Sequence, residues 1–280
     1  GQALFEQVYP PAPTRNGQSC VECHSVPVTG GMGFAAHKVV PDHPRFVDGV
    51  EQDRTGMAFM VPPSLLALGA LDAQPVACGV DETMGIYGVP AFSGKPDKDK
   101  PARHGHKMQT TTLHAFVAGA FVHELGLCTE PADPDEATGC EPGQAPDVTA
   151  DEIDDVTYFL AHAGAPAPLT PPAGGAAIFT STGCATCHAG PLRTDLCAHD
   201  MGAAMADGPA TEFLSASQWA TMPLVYMRGR YGMGHDGRAG WSVDAAITML
   251  HGGEGDVSRS RYLTLSSTDR ATLAQYVRGL

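Results

Sequence analysis

Apolar positions recurring at three- and four-residue steps mark out the helices this chain predicts. Across residues 110–124, Leu113, Phe116, Val117, Ala120 and Phe121 fall on one face of a helix. Residues 149–162 predict another, opened by Thr149 with Glu152 three positions on, a pair that can cap a helix N-terminus reciprocally. Gln2-Ala3-Leu4-Phe5-Glu6-Gln7-Val8-Tyr9 reads as a turn or two of amphipathic helix stopped by Pro10-Pro11. Pro62-Pro63-Ser64-Leu65-Leu66-Ala67-Leu68-Gly69 reads as a helix with proline in its first turn and glycine at its end. Helices near residues 243–251 and 267–280 close the chain. Between these elements lie long polar or Gly/Pro-rich stretches. Residues 25–63, with Gly30-Gly31-Met32-Gly33 and Pro41-Asp42-His43-Pro44, favour turns and extended segments wrapped on something else. Residues 79–108 are loop-like, with a solvated charged run from Lys95 to Lys100, and residues 133–144 form an acidic loop. The fold class expected is mainly α with long loops.

The pattern also repeats. Residues 163–175 are an Ala/Pro/Gly linker, and Gly175-Ala176-Ala177-Ile178-Phe179 after it echoes Gly1-Gln2-Ala3-Leu4-Phe5. A weaker echo joins Val61-Pro62-Pro63-Ser64-Leu65 to Thr221-Met222-Pro223-Leu224. The expected division is therefore two related domains, residues 1–165 and 166–280.

Each echo precedes the same chemistry. Cys20-Val21-Glu22-Cys23-His24 and Cys184-Ala185-Thr186-Cys187-His188 place two thiols three positions apart with a histidine next. Thiols so spaced can each add to one vinyl group of a haem, and the following imidazole reaches the iron. Zinc would need four clustered Cys or His ligands, and no second pair of that kind accompanies either motif. The reading is two covalently bound haem c groups in two cytochrome c-like domains, held by Cys20, Cys23 and His24 and by Cys184, Cys187 and His188. Met57, Met60, Met84, Met201, Met227 and Met233 read as fillers of irregular gaps. Such attachment takes place outside the cytoplasm, so Cys78, Cys128, Cys140 and Cys197 default to disulfides. A short loop favours pairing Cys128 with Cys140, which leaves Cys78 for Cys197.

Charge narrows the partners. Seventeen Lys and Arg against 31 Asp and Glu give a net of −14, which argues against nucleic acid and anionic membranes and for cationic partners. No run of about 18 apolar residues predicts a membrane span. No charged-then-apolar leader precedes Gly1, as expected of a processed, periplasmic or otherwise exported chain.

The run Leu196-Cys197-Ala198-His199-Asp200-Met201-Gly202, with Ala206-Asp207-Gly208, Gly234-His235-Asp236-Gly237-Arg238-Ala239 and His251-Gly252-Gly253-Glu254, resembles the bacterial di-haem oxidoreductase family. Its members are classed as peroxidases and sometimes as thiol oxidoreductases. Val61 to Gly69 resembles that family's first half, and the likeness is more dilute between residues 25 and 110. The family is similar to di-haem cytochrome c peroxidase and to the di-haem enzyme that matures a tryptophylquinone cofactor.

The resemblance implies roles for particular residues. Peroxidase-type relatives carry a Gln and, ten residues later, a Glu that serves as acid/base on the distal side of the N-terminal haem. Glu124-Leu125-Gly126 matches the acid, and His114 stands at the Gln position. A carboxylate there can take a proton from peroxide and return it to the leaving oxygen. His104 and His106 fall where relatives place large aromatics, and either could instead ligate iron. At the end of the helix after His-Asp-Gly, where relatives supply Met or Tyr to the second iron, stands Met249-Leu250-His251. His251 is the expected ligand, Met249 the alternative, and His235 the contact to a haem propionate. Thr221-Met222-Pro223 fits the spacing of two backbone oxygens that hold calcium in the peroxidases. The function implied is a di-haem oxidoreductase using hydrogen peroxide or another small oxidant. Its N-terminal haem would be reactive and its C-terminal haem would pass electrons from a redox protein donor or protein substrate. The alternative is a non-catalytic di-haem electron carrier.

Overall fold

The computed structural model describes residues 1–9, 19–33, 37–38, 46–47, 50–51, 59–92, 100–131, 139–140, 142–208, 210–211 and 213–280. The Pro10-Pro11 stop, residues 41–45, Met57, residues 95–99 and 133–138 lie outside these. Helices α1 (Gln2–Glu6), α2 (Cys20–Cys23), α3 (Gly69–Ala73), α4 (Leu113–His123), α5 (Ala150–His162), α6 (Gly175–Ser181), α7 (Val243–Leu250), α8 (Asp256–Thr264) and α9 (Ser267–Gly279) carry the fold. Strand pairing is confined to short two-stranded ladders, among them Ala198–Asp200 with Gln218–Ala220 and Val80–Asp81 with Ile86–Tyr87. The mainly helical class expected from the sequence is what the chain adopts.

The chain divides into two compact units, Gly1–Asp72 with Phe92–Gly164, and Ala73–Ala91 with Ala165–Leu280. The excursion of residues 73–91 into the second unit differs from a simple cut near residue 165. Its cause is a set of tertiary bonds. Cys78 is joined to Cys197, the Gly79 amide donates to Asp195 at 2.8 Å, and Val89 pairs with Ala198.

In the first unit, Thr112 caps α4 by accepting from the Ala115 amide, and Thr149 and Glu152 form the reciprocal box at the start of α5. Each such cap contributes about 1 kcal/mol. The apolar face read from the sequence is the core: Leu113, Val117, Ala118 and Phe121 of α4 pack with Phe5, Ile153, Val156 and Leu160. In the second unit, α6 lies on α9 with Phe179, Leu273 and Tyr276 buried. The same crossing serves both. A Cβ on Gly1 would meet Phe159 Cβ at 2.6 Å, and one on Gly175 would meet Tyr276 Cβ at 2.5 Å. The phenylalanine four residues on packs at 5.5 Å between ring centres in each unit, Phe5 on Phe159 and Phe179 on Tyr276. The N-terminal echo is thus one packing device used twice.

The helix expected over residues 62–69 is not formed. Residues 61–65 are extended, Ala67 takes a left-handed backbone with φ of 66°, and the helix begins only at Gly69. The amides that a helix would use internally go elsewhere: Leu65 N–H donates to Gly30 and Ala67 N–H to Ala163, at 2.9 and 2.8 Å. Tertiary acceptors outweigh a weak local preference here. Helix α8 was not anticipated, because only Ser258 and Tyr262 of its polar run are buried.

Both expected disulfides, Cys128–Cys140 and Cys78–Cys197, are present. Their sequence separations of 12 and 119 residues make the second the stronger constraint on the unfolded chain. Loop entropy gives about 3 kcal/mol for the short loop and about 4.7 kcal/mol for the long one. Denaturant unfolding of the paired Cys→Ala variants should show the larger loss for Cys78/Cys197; equal or reversed losses would refute that ordering.

Candidate functional site

Both Cys-x-x-Cys-His motifs open a short turn directly after or beside the unit's N-terminal helix. The thiols outside disulfides are Cys20, Cys23, Cys184 and Cys187. Burial, helped by the neighbouring Cys23, pushes the Cys20 thiol up to about 12, and burial raises Cys184 as well. At neutral pH these two are thiols in apolar surroundings.

His24 is oriented by its Nδ1, which lies 3.0 Å from the Pro63 carbonyl and 3.3 Å from that of Gly31. A carbonyl only accepts, so Nδ1 carries the proton and the lone pair is on Nε2, the arrangement of a metal-binding imidazole. The Gly30-Gly31-Met32-Gly33 run exists to bring that carbonyl in. Met32 bridges Val26, the Gly33 amide donates to Pro62 at 3.1 Å, and a Cβ on Gly33 would meet Cys23 O at 2.8 Å. This strap is also why residues 61–65 are extended rather than helical.

His188 repeats the device with Nδ1 3.1 Å from the Arg193 carbonyl. His251, at the C-cap of α7, does the same with Nδ1 3.1 Å from the Ala246 carbonyl. The two ring centres lie 6.3 Å apart, with the ring planes tilted by 45°. Burial, and then the proximity of His251, push His188 down to about 4; burial lowers His251 too. Both are neutral, with Nε2 lone pairs available. Two imidazoles on one metal, with bonds of about 2 Å and about 1.1 Å from each nitrogen to its ring centre, stand about 6.2 Å apart. The observed spacing fits that requirement. Met249 is 47% exposed on α7 and is not brought to His188.

Other expected residues are placed less favourably. His114 lies in the first turn of α4 with Nε2 3.4 Å from Asp154 of α5, while Glu124 is the exposed C-cap at the other end. Ten residues of helix rise about 15 Å, so the structure does not bring these two together. His104 is buried with Nε2 2.8 Å from Asp72 and its ring stacked on Phe116. His106 has Nε2 3.1 Å from the Val61 carbonyl. His235 is buried against Trp219, ring centres 4.0 Å apart and nearly parallel, with Nε2 3.5 Å from Asp207. Arg238 bonds both Asp207 and Asp236, so the Ala206-to-Gly208 and Gly234-to-Ala239 motifs form one knot.

The carbonyls of the calcium pair accept hydrogen bonds from protein donors. The Thr221 carbonyl accepts from Thr194 Oγ1 at 2.6 Å, and the Pro223 carbonyl accepts from Arg230 at 2.8 Å.

Spacing along the chain missed one cluster. His199, 3% exposed, has Nε2 2.9 Å from Asp195 and Nδ1 2.7 Å from Glu254, with Cys187 Sγ 3.8 Å from that Nδ1. The sequence showed His199 and Glu254 only as members of two separate motifs, and their meeting across 55 residues has no local signal.

Residues 191–280 match the family described as "Di-haem oxidoreductase, putative peroxidase", and over that span the resemblance read from the motifs is borne out. A solved structure of Kuenenia stuttgartiensis hydrazine synthase, pressurized with 20 bar xenon, matches 100% of this chain and 85% of its own at a TM-score of 0.56. Identity is 14%, so this is a likeness of fold. No curated protein matches the sequence. Among the described residues no helix is long and apolar enough to cross a membrane.

Proposed function

We propose that this chain is an exported di-haem c-type oxidoreductase that uses hydrogen peroxide or a similar small oxidant. The observation that carries the reading is the paired geometry of His188 and His251 beside Cys184 and Cys187. Two neutral, half-buried imidazoles with their Nδ1 protons committed to carbonyls are arranged to share one metal ion. Haem iron supplies one-electron chemistry when bound. Cys184 and Cys187 would tether it in the second unit, and His188 and His251 would both ligate its iron, which would suit electron storage and transfer rather than binding of a small oxidant.

In the first unit Cys20 and Cys23 tether and His24 ligates. The histidines weighed as a second ligand there have Nε2 committed, His104 to Asp72 and His106 to Val61. That supports the first unit as the reactive one, with Glu124 as the acid/base. His235, beside Trp219, is left the propionate contact proposed from the motif. This reading does not depend on calcium at Thr221 and Pro223, whose carbonyls accept from Thr194 and Arg230. The donor is a redox protein or an oxidisable protein substrate with a cationic face, given the net charge of −14.

The electron-carrier reading draws on one observation, the pairing of His114 with Asp154 away from Glu124. A high-spin ferric signal that shifts with peroxide or cyanide supports the enzyme; two unresponsive low-spin haems support the carrier. For attachment itself, intact mass should exceed the polypeptide by two haems and acid-acetone should leave the Soret absorbance with the protein. Extraction of the colour would overturn the covalent assignment.

A further inference from the structure

Asp195, His199 and Glu254 form a buried charged bracket beside Cys187, and its protonation state follows from hydrogen-bond counting. Carboxylates accept, and a neutral imidazole donates from one nitrogen only. His199 has a carboxylate oxygen at 2.9 Å from Nε2 and another at 2.7 Å from Nδ1, so one of the three groups carries an extra proton. Both carboxylates also accept from backbone donors, which use their oxygens as acceptors. Asp195 accepts from the Gly79 amide at 2.8 Å and the Cys197 amide at 3.1 Å; Glu254 accepts from the Tyr87 amide at 2.8 Å and the Asp200 amide at 3.1 Å. The proton therefore belongs to His199. Burial opposes its charge, and the bond to Asp195 acts against burial and raises the imidazole. A doubly bonded imidazolium has no lone pair, so the grouping of Cys187, Asp195 and His199 does not serve as a metal site.

The bracket is built tightly. A Cβ on Gly88 would come within 2.5 Å of His199 Cε1, and the Cys78–Cys197 disulfide anchors the segment that supplies Asp195 and His199. A pin that only held the loops together would need hydrogen bonds and no charge. Here a cation sits with its Nδ1 3.8 Å from Cys187 Sγ and 2.7 Å from Glu254, and with Asp195 at its other nitrogen.

We propose that His199 is a positioning residue whose fixed positive charge, 3.8 Å from the Cys187 sulfur, raises the reduction potential of the haem attached there. This rests on the reading that Cys184 and Cys187 carry haem. Charge near the group is one of the protein's levers on potential, and the bracket contains charges of both signs. Removing the cation leaves two carboxylates and favours the oxidised state. Neutralising one carboxylate leaves the cation less compensated and favours the reduced state.

The test is spectroelectrochemical titration of the two-haem protein, with haem count fixed beforehand by intact mass. His199→Gln should lower the reduced-to-oxidised ratio of one haem about tenfold at fixed potential, a shift of ~59 mV for one electron. Glu254→Gln should shift the same haem the opposite way, and the other haem should stay put. Shifts of the same sign in both variants, or no shift, overturn the proposal, since lost structure moves both alike. If His199→Gln yields no folded holoprotein, Glu254→Gln decides alone: a rise supports the proposal, and a fall or no change overturns it. Failure of the underlying reading is separate and visible first, as a wild-type mass lacking the second haem with Cys184 and Cys187 free in peptide maps.

Discussion

His251→Gly is expected to convert one of two haems from low to high spin while leaving both attached. The expectation comes from the second unit's geometry. The His188 and His251 rings stand 6.3 Å apart, each with Nδ1 donated to a carbonyl of its own segment, and both are half-buried and neutral. Removing one imidazole leaves Cys184, Cys187 and His188 intact, so attachment persists while one axial position opens. Added imidazole should restore the low-spin signal, because a cavity of the right shape remains. Met249→Leu should change nothing, as Met249 is an exposed side chain of α7. Electron paramagnetic resonance of the ferric protein reads the outcome. An unchanged spectrum in His251→Gly, or a change in Met249→Leu, removes His251 from the iron.

What the sequence revealed and what it hid divide along a physical line. The apolar stripes of α4 and α5, the Thr149 box and the two attachment motifs are local, because a helix face, a cap and a pair of thiols are each specified within a few residues. The disulfides were legible by loop length and elimination. The strap from Gly30 to Gly33 was seen only as a turn-rich run, since its purpose is to place the Pro63 carbonyl on His24, 39 residues away. That strap also keeps residues 61–65 out of the helix read over Pro62 to Gly69, and α3 begins only at Gly69. Helix α8 exposes most of its side chains and so lacks an apolar stripe. The charged bracket at His199 joins residues from three distant segments, which no spacing rule connects.

Glu124→Gln is expected to slow the reaction with peroxide by ~10²–10⁴, the range for loss of a general acid-base group. Glutamine keeps the size and hydrogen-bonding reach of the side chain and loses the base. The position of Glu124 separates this from a structural effect. It caps the C-terminus of α4, where the helix dipole disfavours an anion by about 0.3–1 kcal/mol. Neutralising it does not weaken the helix through that interaction, so the melting temperature should hold or rise while the rate falls. Haem content should also hold, because Glu124 belongs to neither attachment motif. Stopped-flow mixing with peroxide, followed in the Soret band, should be run on the fully oxidised and the half-reduced protein, since relatives of the peroxidase type can require one haem reduced before the other reacts. A fast wild type with a slow, equally stable Gln variant assigns the proton relay to Glu124. Equal rates in the two proteins make it a surface carboxylate at a helix end. No reaction in either redox state of either protein returns the chain to the electron-carrier reading, with both irons closed by protein ligands.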